Sequence, residues 1–240
     1  MNICELKDRV LFALSVPKCV RCKERLVYGE KAFCRDCSAE FDEFNTRNCA
    51  KCSKILSECS CSTPYLESHF VKRVIKCYRY INGGELSPGT ALIFSLKRDD
   101  REDVLTVAAD LLEKSIRNSV LDPEKYIFTN VPRRKKAILE YGIDHSALLA
   151  RELAKRFGAR YVLILRSNAK APQKSLETND RLKNANFAIE NEADLSKDSV
   201  IIVDDIITSG ASMASAAMHI RSLGCKNISA ATLAIAYKDS

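Results

Sequence analysis

The fold of this 240-residue chain is constrained most by one stretch, residues 199–212, whose sequence is Ser-Val-Ile-Ile-Val-Asp-Asp-Ile-Ile-Thr-Ser-Gly-Ala-Ser. Its apolar part, Val200 to Val203, has no polar alternation, which is typical of a strand buried on both faces of a parallel sheet. A small-residue loop and a helical pattern follow, as expected of a strand, turn and helix unit. The sequence therefore predicts an α/β fold with Asp204 and Asp205 at the carboxyl end of a strand, where open α/β sheets bind ligands.

The loop after the acidic pair has the composition of a phosphate-binding loop. It offers hydroxyl groups, backbone N–H groups freed by glycine and the first turn of a helix, from Thr208, Ser209, Gly210, Ala211 and Ser212. Donors that converge at a helix N-terminus hold phosphate. Carboxylates repel phosphate, so the two acids must face another part of the ligand. A sugar phosphate satisfies both groups, because the acids can accept hydrogen bonds from vicinal ribose hydroxyls while the loop binds the 5′-phosphate.

The order of residues in this stretch resembles the phosphoribosyl-pyrophosphate (PRPP) motif of type I phosphoribosyltransferases. Four apolar residues, two aspartates, two apolar residues and Thr-Ser-Gly occur in that order. An ordinary βα turn with an acidic N-cap is the alternative. That alternative explains neither the second aspartate nor the run of small residues.

The cysteines indicate a metal site near the N-terminus. Nine of the eleven lie at or before Cys61, and in a reducing compartment this crowding favours metal over disulfides. Two Cys-x2-Cys pairs separated by eleven residues have the spacing of a tetrahedral zinc ribbon, and they comprise Cys19, Cys22, Cys34 and Cys37. Few apolar residues lie between the pairs, so the metal is expected to contribute much of the folding free energy. A reactive thiol pair is the alternative, and two matched pairs argue against it.

A second set of cysteines follows, and its last pair is one residue short of a zinc knuckle. The set comprises Cys49, Cys52, Cys59 and Cys61. Two alternatives remain open: one zinc ion in total with spare cysteines, or a second zinc held by three of these four and another ligand. Isolated cysteines are expected to pack as small apolar residues, namely Cys4, Cys77 and Cys225.

Charge and hydropathy suggest a compartment and classes of partner. The first 17 residues carry Glu5 and Asp8 and have only a short apolar stretch, unlike a signal peptide. They predict a short amphipathic leader helix ended by Pro17. No run of eighteen apolar residues occurs, so we expect a cytoplasmic protein without membrane insertion.

The net charge of +7 suits a polyanionic small molecule, nucleic acid or both. The predicted organisation is a leader over 1–17, a zinc-ribbon module over 18–64 and an α/β domain over 65–240.

A basic run follows the next predicted strand. The segment from Tyr126 to Val131 is expected to be buried, and the cations from Arg133 to Lys136 follow it. If this strand is parallel to residues 200–203, Arg133 and Arg134 lie at the sheet edge that carries the acids and face the expected position of a pyrophosphate.

Two further candidates have weaker sequence support. Lys97 follows an apolar helix face, and on that pattern alone a solvated charge is the favoured interpretation. His145 follows Asp144, a predicted N-cap, and such a position is more typical of a helix N-terminus than of a catalyst.

The third predicted buried strand, Tyr161 to Leu165, leads into a long polar segment from Arg166 to Lys183. Connections of this length in compact domains are usually lids or disordered loops. In a lid, the charges of the segment, which include those of Lys170, Lys174 and Arg181, would close over a bound pyrophosphate. A solvated loop would give these charges no role.

Taken together, these features resemble the ComF family of competence-associated phosphoribosyltransferase-like proteins. The resemblance rests on the cysteine knuckles, Lys97, Val131-Pro132-Arg133, Gly142 with Asp144-His145-Ser146, Arg166, Gln173, Leu176, Arg181, Asn184, Phe187 and Val203 to Gly210. It implies a type I phosphoribosyltransferase-like parallel sheet flanked by helices, with a hood, a movable loop and an N-terminal zinc ribbon. It also implies that Asp204 and Asp205 hold the ribose, residues 208–212 the 5′-phosphate and Arg133 with its neighbours the pyrophosphate, together with Mg²⁺.

The chain departs from this family in two places. The family commonly has Arg-Gly-Phe-Asn-Gln-Ser where this chain has Tyr141-Gly-Ile-Asp-His-Ser146, and its second cysteine set is usually two full knuckles. Two classes of function follow from the resemblance. One is a PRPP-dependent transferase with an unidentified acceptor, and the other is a PRPP-sensing protein that binds single-stranded DNA or a DNA-processing partner. The chain has no Trp, which weakens a stacking-based site for single strands.

Overall fold

The computed structural model of the protein describes residues 16–44, 48–80, 86–134, 138–140, 142–168 and 187–236. Six helices have named bounds in this part of the chain: α1 (Arg35–Phe44), α2 (Pro64–Ser68), α3 (Pro88–Arg98), α4 (Glu102–Ser119), α5 (His145–Phe157) and α6 (Ala211–Ser222). The strands are β1 (Val71–Tyr80), β2 (Tyr126–Asn130), β3 (Arg160–Tyr161), β4 (Leu165–Ser167), β5 (Phe187–Ile189), β6 (Ser199–Ile207) and β7 (Asn227–Ala236). Short 3₁₀ turns lie at Leu56–Glu58 and Pro123–Lys125.

Five strands form one parallel sheet in the order β1-β7-β6-β2-β3. The predicted strand at the acidic motif is β6, near the centre of this sheet. Its residue Val200 pairs with Ile127 of β2 on one side and with Ile228 of β7 on the other. Val200 to Val203 are fully buried, which confirms the expectation drawn from their continuous apolar run.

Helices cover both faces of the sheet. Ile201 and Val203 belong to the core that includes residues of α3, α4 and α5, whereas Val200 and Ile202 belong to the core beneath α6. This alternation follows from the two-residue period of a strand, which sends successive side chains to opposite faces. The predicted α/β class, a parallel sheet flanked by helices, is therefore confirmed.

The prediction of a third buried strand over Tyr161 to Leu165 is wrong. Only Arg160 and Tyr161 pair with β2, and a further backbone hydrogen bond runs from the Val162 N–H to the Phe128 carbonyl (2.9 Å). The chain then leaves the sheet, and Leu165 begins β4, which pairs antiparallel with β5. The run is apolar because Ile164 and Leu165 pack in the core beneath α6, and not because it forms a long central strand.

The N-terminal cysteine-rich part packs directly on the sheet and its helices. Phe33 and Phe41 stack with ring centroids 5.5 Å apart, and Phe41 meets the edge of Tyr78 of β1 at 5.3 Å. The Ala32 N–H donates to Asp103 of α4 at 2.9 Å. Of the apolar residues between the first cysteine pairs, Leu26, Ala32 and Phe33 are buried in the core of the α/β part.

Several predictions about individual segments can be compared with the structure. Cys77 and Cys225 are buried, as expected of small packing residues, whereas Cys4 and nearly all of the predicted leader helix lie outside the described residues. The proposed lid also falls mostly outside the described residues, which include only residues 166–168 of it. In the described part of the chain, no helix combines the length and apolarity needed to cross a membrane.

Candidate functional site

The two aspartates lie where β6 extends beyond its neighbour β2. Pairing between these strands ends at Asn130 and Val203, with a final bond of 3.0 Å from the Val131 N–H to the Val203 carbonyl. From Asp204 onward, β6 continues along β7. The end of β2 therefore leaves an opening on one side of β6, at the carboxyl edge of the sheet where ligands bind in folds of this class.

A depression of about 260 Å³ lies beside this end of β6. It is lined by Asp204, Ile206, Ile207, Thr208, Ser209, Gly210, Ala211, Ser212 and Met213. Gly210 is the N-cap of α6 and has φ of +78°, a left-handed conformation that favours glycine. Gly210 itself offers no side chain to cap the helix, and the Ala211 N–H donates to Ser209 Oγ at 3.4 Å. The first N–H groups of a helix have no partner within the helix, and those of α6 belong to residues that line the depression. The structure thus brings all five predicted phosphate-loop residues and Asp204 together.

Asp204 is half-buried and is held by the N-terminus of α5. Its Oδ1 accepts a hydrogen bond from Ser146 Oγ at 3.1 Å and another from the Asp205 N–H at 3.0 Å. Burial, together with the negative charge of Asp205, raises the pKa of Asp204 to about 8. A carboxyl group with such a pKa keeps its proton near neutral pH in the free protein.

Asp205 has a different environment and is only 4% exposed. Its Oδ2 lies 3.0 Å from Lys97 Nζ and 3.2 Å from His145 Nε2. Burial acts to raise the pKa of Asp205, but the contacts with His145 and the charge of Lys97 outweigh it and lower the pKa below its ordinary value. The interpretation of Lys97 as a solvated charge is therefore wrong, because α3 directs its ammonium group onto this buried carboxylate.

His145 links the acidic pair to the first residue of the basic run. The imidazole is 4% exposed, and its Nδ1 lies 2.9 Å from Arg133 Nη1. Because a guanidinium can only donate, Nδ1 is the acceptor and the neutral ring carries its proton on Nε2, which faces Asp205. His145 is the first residue of α5 and Asp144 caps the helix, as the sequence predicts. The contact with Asp205 was missed, since residues 60 positions apart carry no local signal.

The remaining predicted ligand-binding residues are spread more widely. Arg133 also donates to the Ile143 carbonyl at 3.1 Å, and Arg134 is exposed. Arg166 lies on β4, where its Nε contacts Glu190 Oε2 at 2.8 Å, and it is not among the residues that line the depression. Lys135, Lys136, Gln173 and Arg181 lie outside the described residues.

Both cysteine sets gather into clusters that could hold a metal ion. The sulfur atoms within each set lie within 4.8 Å of one another, in one cluster of Cys19, Cys22, Cys34 and Cys37 and another of Cys49, Cys52, Cys59 and Cys61. Four convergent sulfur ligands match the donor set of structural zinc. The structure brings all four cysteines of the second set together, so the missing residue in its last knuckle does not prevent a four-sulfur site.

The raised pKa of Asp204 predicts a pH dependence of stability. The folded protein keeps this proton up to about pH 8, whereas the unfolded chain loses it near 3.8. The stabilisation from this group is therefore complete below the unfolded pKa and is lost as the pH rises through the folded pKa. Asp204→Asn cannot ionise, so the wild type should lose unfolding free energy relative to this variant between about pH 4 and 8, the interval between the two pKa values. Urea unfolding at constant ionic strength measures it, and a difference that does not change with pH would contradict the raised pKa.

Comparison with known proteins agrees with this geometry. The model of the phosphoribosyl transferase domain family matches residues 142–240, which include α5, β6, the phosphate loop and α6. No curated protein sequence matches the chain.

Among the solved structures to which the chain is similar are three phosphoribosyltransferases. A purine phosphoribosyltransferase from Pyrococcus horikoshii is 18% identical, with a TM-score of 0.39 over 55% of this chain and 73% of that one. An adenine phosphoribosyltransferase from Thermoanaerobacter pseudethanolicus is also 18% identical, with a TM-score of 0.40 over 67% and 91%. The adenine phosphoribosyltransferase of Saccharomyces cerevisiae is 22% identical, with a TM-score of 0.32 over 57% and 68%. The family model covers 99 of the 240 residues, and this part of the chain is similar to a phosphoribosyltransferase domain.

Proposed function

We propose that this protein binds PRPP together with Mg²⁺ and transfers its phosphoribosyl group to an acceptor with release of pyrophosphate. The observation that carries the proposal is the depression that joins Asp204 to the loop of residues 208–212 at the N-terminus of α6. Backbone N–H groups and hydroxyls there suit the 5′-phosphate, and carboxylates suit ribose hydroxyls. The match to the phosphoribosyl transferase domain supports the same ligand.

In this proposal the remaining positively charged residues bind the pyrophosphate. Arg133 and Arg134 follow β2 at the same edge of the sheet, and Lys97 is 31% exposed and can exchange its contact with Asp205 for a phosphate oxygen. Arg166, Gln173 and Arg181 are assigned to the binding of the substrate by resemblance to the ComF family. Mg²⁺ would be held mainly through oxygens of the ligand itself, as is usual for this ion.

The chain's part in the reaction is positioning and electrostatics. A nucleophilic nitrogen attacks C1 of the ribose as the C1–O bond to pyrophosphate breaks and its electron pair leaves with the pyrophosphate. Positive charge then develops on the sugar ring and negative charge on the leaving group. Asp204 and Asp205 orient the ring through its hydroxyls, and the cations stabilise the departing pyrophosphate.

The phosphate loop can be tested by removing its hydroxyl groups. We expect Thr208→Val with Ser209→Ala to lower the affinity for Mg²⁺–PRPP at least about tenfold, because a hydrogen bond to a charged group is worth roughly 1.5–3 kcal/mol. Isothermal titration calorimetry measures the affinity. Ser222→Ala, at the other end of α6, is the matched control and should bind as the wild type does. Equal affinities of the wild type, the double variant and Ser222→Ala would contradict the assignment of the 5′-phosphate to this loop.

Release of pyrophosphate distinguishes a transferase from a protein that only senses PRPP. The wild type is expected to release pyrophosphate from PRPP when a metabolite or nucleic-acid extract supplies the acceptor, and Asp204→Asn is expected not to. If the wild type binds PRPP but releases no more pyrophosphate than this variant with any extract, the sensing alternative replaces the transferase.

The resemblance to the ComF family further motivates a role in DNA uptake during natural competence. In the sensing alternative, the net charge of +7 supports binding of single-stranded DNA or of a DNA-processing partner. Such DNA binding would be electrostatic and would weaken steeply with salt. Zinc in both cysteine clusters, with residues 18–64 as the metal-dependent module, fits a reducing cytoplasmic location.

A further inference from the structure

The second cysteine cluster lies against a buried lysine that the proposed reaction does not use. Lys76, in the middle of β1, is 1% exposed. Its Nζ lies 3.2 Å from Cys59 Sγ, 3.2 Å from the Cys59 carbonyl, 3.1 Å from the Cys61 carbonyl and 3.1 Å from the Val74 carbonyl. Among the described residues, none of these partners is a carboxylate.

A buried ammonium group is costly unless a negative charge lies beside it. Carbonyl oxygens accept its hydrogen bonds but supply no full charge, and a neutral thiol at Cys59 would supply none either. A divalent cation held by four thiolates carries a net charge of minus two. Such a centre would give Lys76 its counter-charge, and Lys76 would reduce the excess negative charge of the centre.

We propose that Lys76 is the counter-charge of a zinc–tetrathiolate centre at Cys49, Cys52, Cys59 and Cys61 and anchors that centre to β1. The inference rests on the proposed zinc site in this cluster. A hydrogen bond from an ammonium group to a zinc-bound sulfur comes from a residue that does not itself bind the metal. Hydrogen bonds of this kind to metal ligands raise the affinity of a site for its metal. Because the backbone at Lys76 pairs with Thr232 of β7, the contact connects the metal centre to the central sheet.

The first cluster provides an internal comparison. Arg21 lies beside this cluster, with its Nη1 3.9 Å from Cys37 Sγ and paired with Glu40. The Arg21 side chain is 23% exposed and shares its charge with a carboxylate. Retention of metal in the first cluster is therefore expected to be independent of Lys76.

The test measures zinc content and zinc release into a chromogenic chelator for the full chain. Wild type is expected to hold two zinc ions, and Cys34→Ser with Cys37→Ser is expected to hold one, in the second cluster. In that background, Lys76→Met should release the remaining zinc at least about tenfold faster, whereas Lys76→Arg should retain it more nearly as wild type does because it keeps the charge. Lys72→Met, at an exposed position of the same strand, is the matched control.

Two further measurements keep the outcomes separate. Substitution with Co²⁺ reports the thiolate environment by its charge-transfer absorption, and hydrogen exchange at residues 74–77 reports whether β1 stays folded. Unchanged zinc release from Lys76→Met, with two zinc ions in the wild type, would overturn the role of Lys76. A Cys34→Ser and Cys37→Ser protein that is folded but holds no zinc would instead overturn the second metal site. Faster release with unprotected β1 in zinc-loaded Lys76→Met would show a role in folding of the strand and also contradict the proposal.

Discussion

Asp204→Asn combined with Asp205→Asn is expected to weaken binding of Mg²⁺–PRPP by about 100-fold or more. Each lost hydrogen bond to a charged group costs roughly 1.5–3 kcal/mol, and tenfold in affinity corresponds to about 1.4 kcal/mol. Calorimetry on the two proteins measures the effect, with circular dichroism as the control for folding. Equal affinity of wild type and double variant would contradict the assignment of the acidic pair.

The single variants should differ because the two carboxyl groups have different partners. Asn at position 204 can still accept from Ser146 and is neutral like the protonated acid, so the fold should be kept. Because Asp204 of the unfolded wild type is ionised near neutral pH, the variant should there be at least as stable as the wild type. Asp205→Asn leaves Lys97 and His145 without their carboxylate and should cost roughly 1–3 kcal/mol of unfolding free energy. Lys97→Met added to Asp205→Asn should cost less than the sum of the two single changes, since the pair is lost only once.

Loss of the first metal site is the other large effect expected. Cys34→Ser with Cys37→Ser should remove one zinc ion and unfold the segment around the first cluster, because structural zinc contributes about 10–16 kcal/mol to the folding of small zinc modules. Metal analysis and limited proteolysis measure the two outcomes. The whole protein should also lose stability, since Phe33 and Phe41 share the core of Tyr78 and Leu92.

Cys77→Ala, which removes a thiol outside both clusters, is the matched control for this variant. Cys77 is buried and belongs to neither cluster, so Cys77→Ala should keep the full zinc content even if it lowers stability. Zinc content that stays unchanged in Cys34→Ser with Cys37→Ser would place the metal in the second cluster alone.

The sequence was most informative where neighbouring residues make their own structure. Val200 to Val203 predicted β6 because its burial on both faces requires a continuous apolar run. Asp144 predicted the start of α5 because an N-cap is a local interaction. The cysteine spacing predicted clusters for the same reason, since a knuckle is built from residues three positions apart.

The sequence was least informative where tertiary contacts decide the role of a residue. Lys97 lies 108 positions from Asp205, and no local pattern distinguishes it from a solvated lysine at a helix end. The run from Tyr161 to Leu165 has the apolar character of a strand, but it pairs with β2 at only two positions. Ile164 and Leu165 instead pack in the core beneath α6. Lys76 alternates with apolar neighbours like an exposed strand residue, although its ammonium group is buried against Cys59 Sγ and three carbonyl oxygens.

The contact between the cysteine-rich segment and β1 also bears on the solubility of the protein. β1 is ten residues long and lies at one end of the sheet, with β7 as its partner in the sheet. On its other side, the Val74 N–H donates to the Ser60 carbonyl at 3.1 Å and Ser62 Oγ donates to the Val71 carbonyl at 2.8 Å. An uncovered edge strand of this length is a template for pairing with another chain. Metal loss that frees residues 60–62 would therefore promote aggregation through β1 even while the rest of the sheet stays folded.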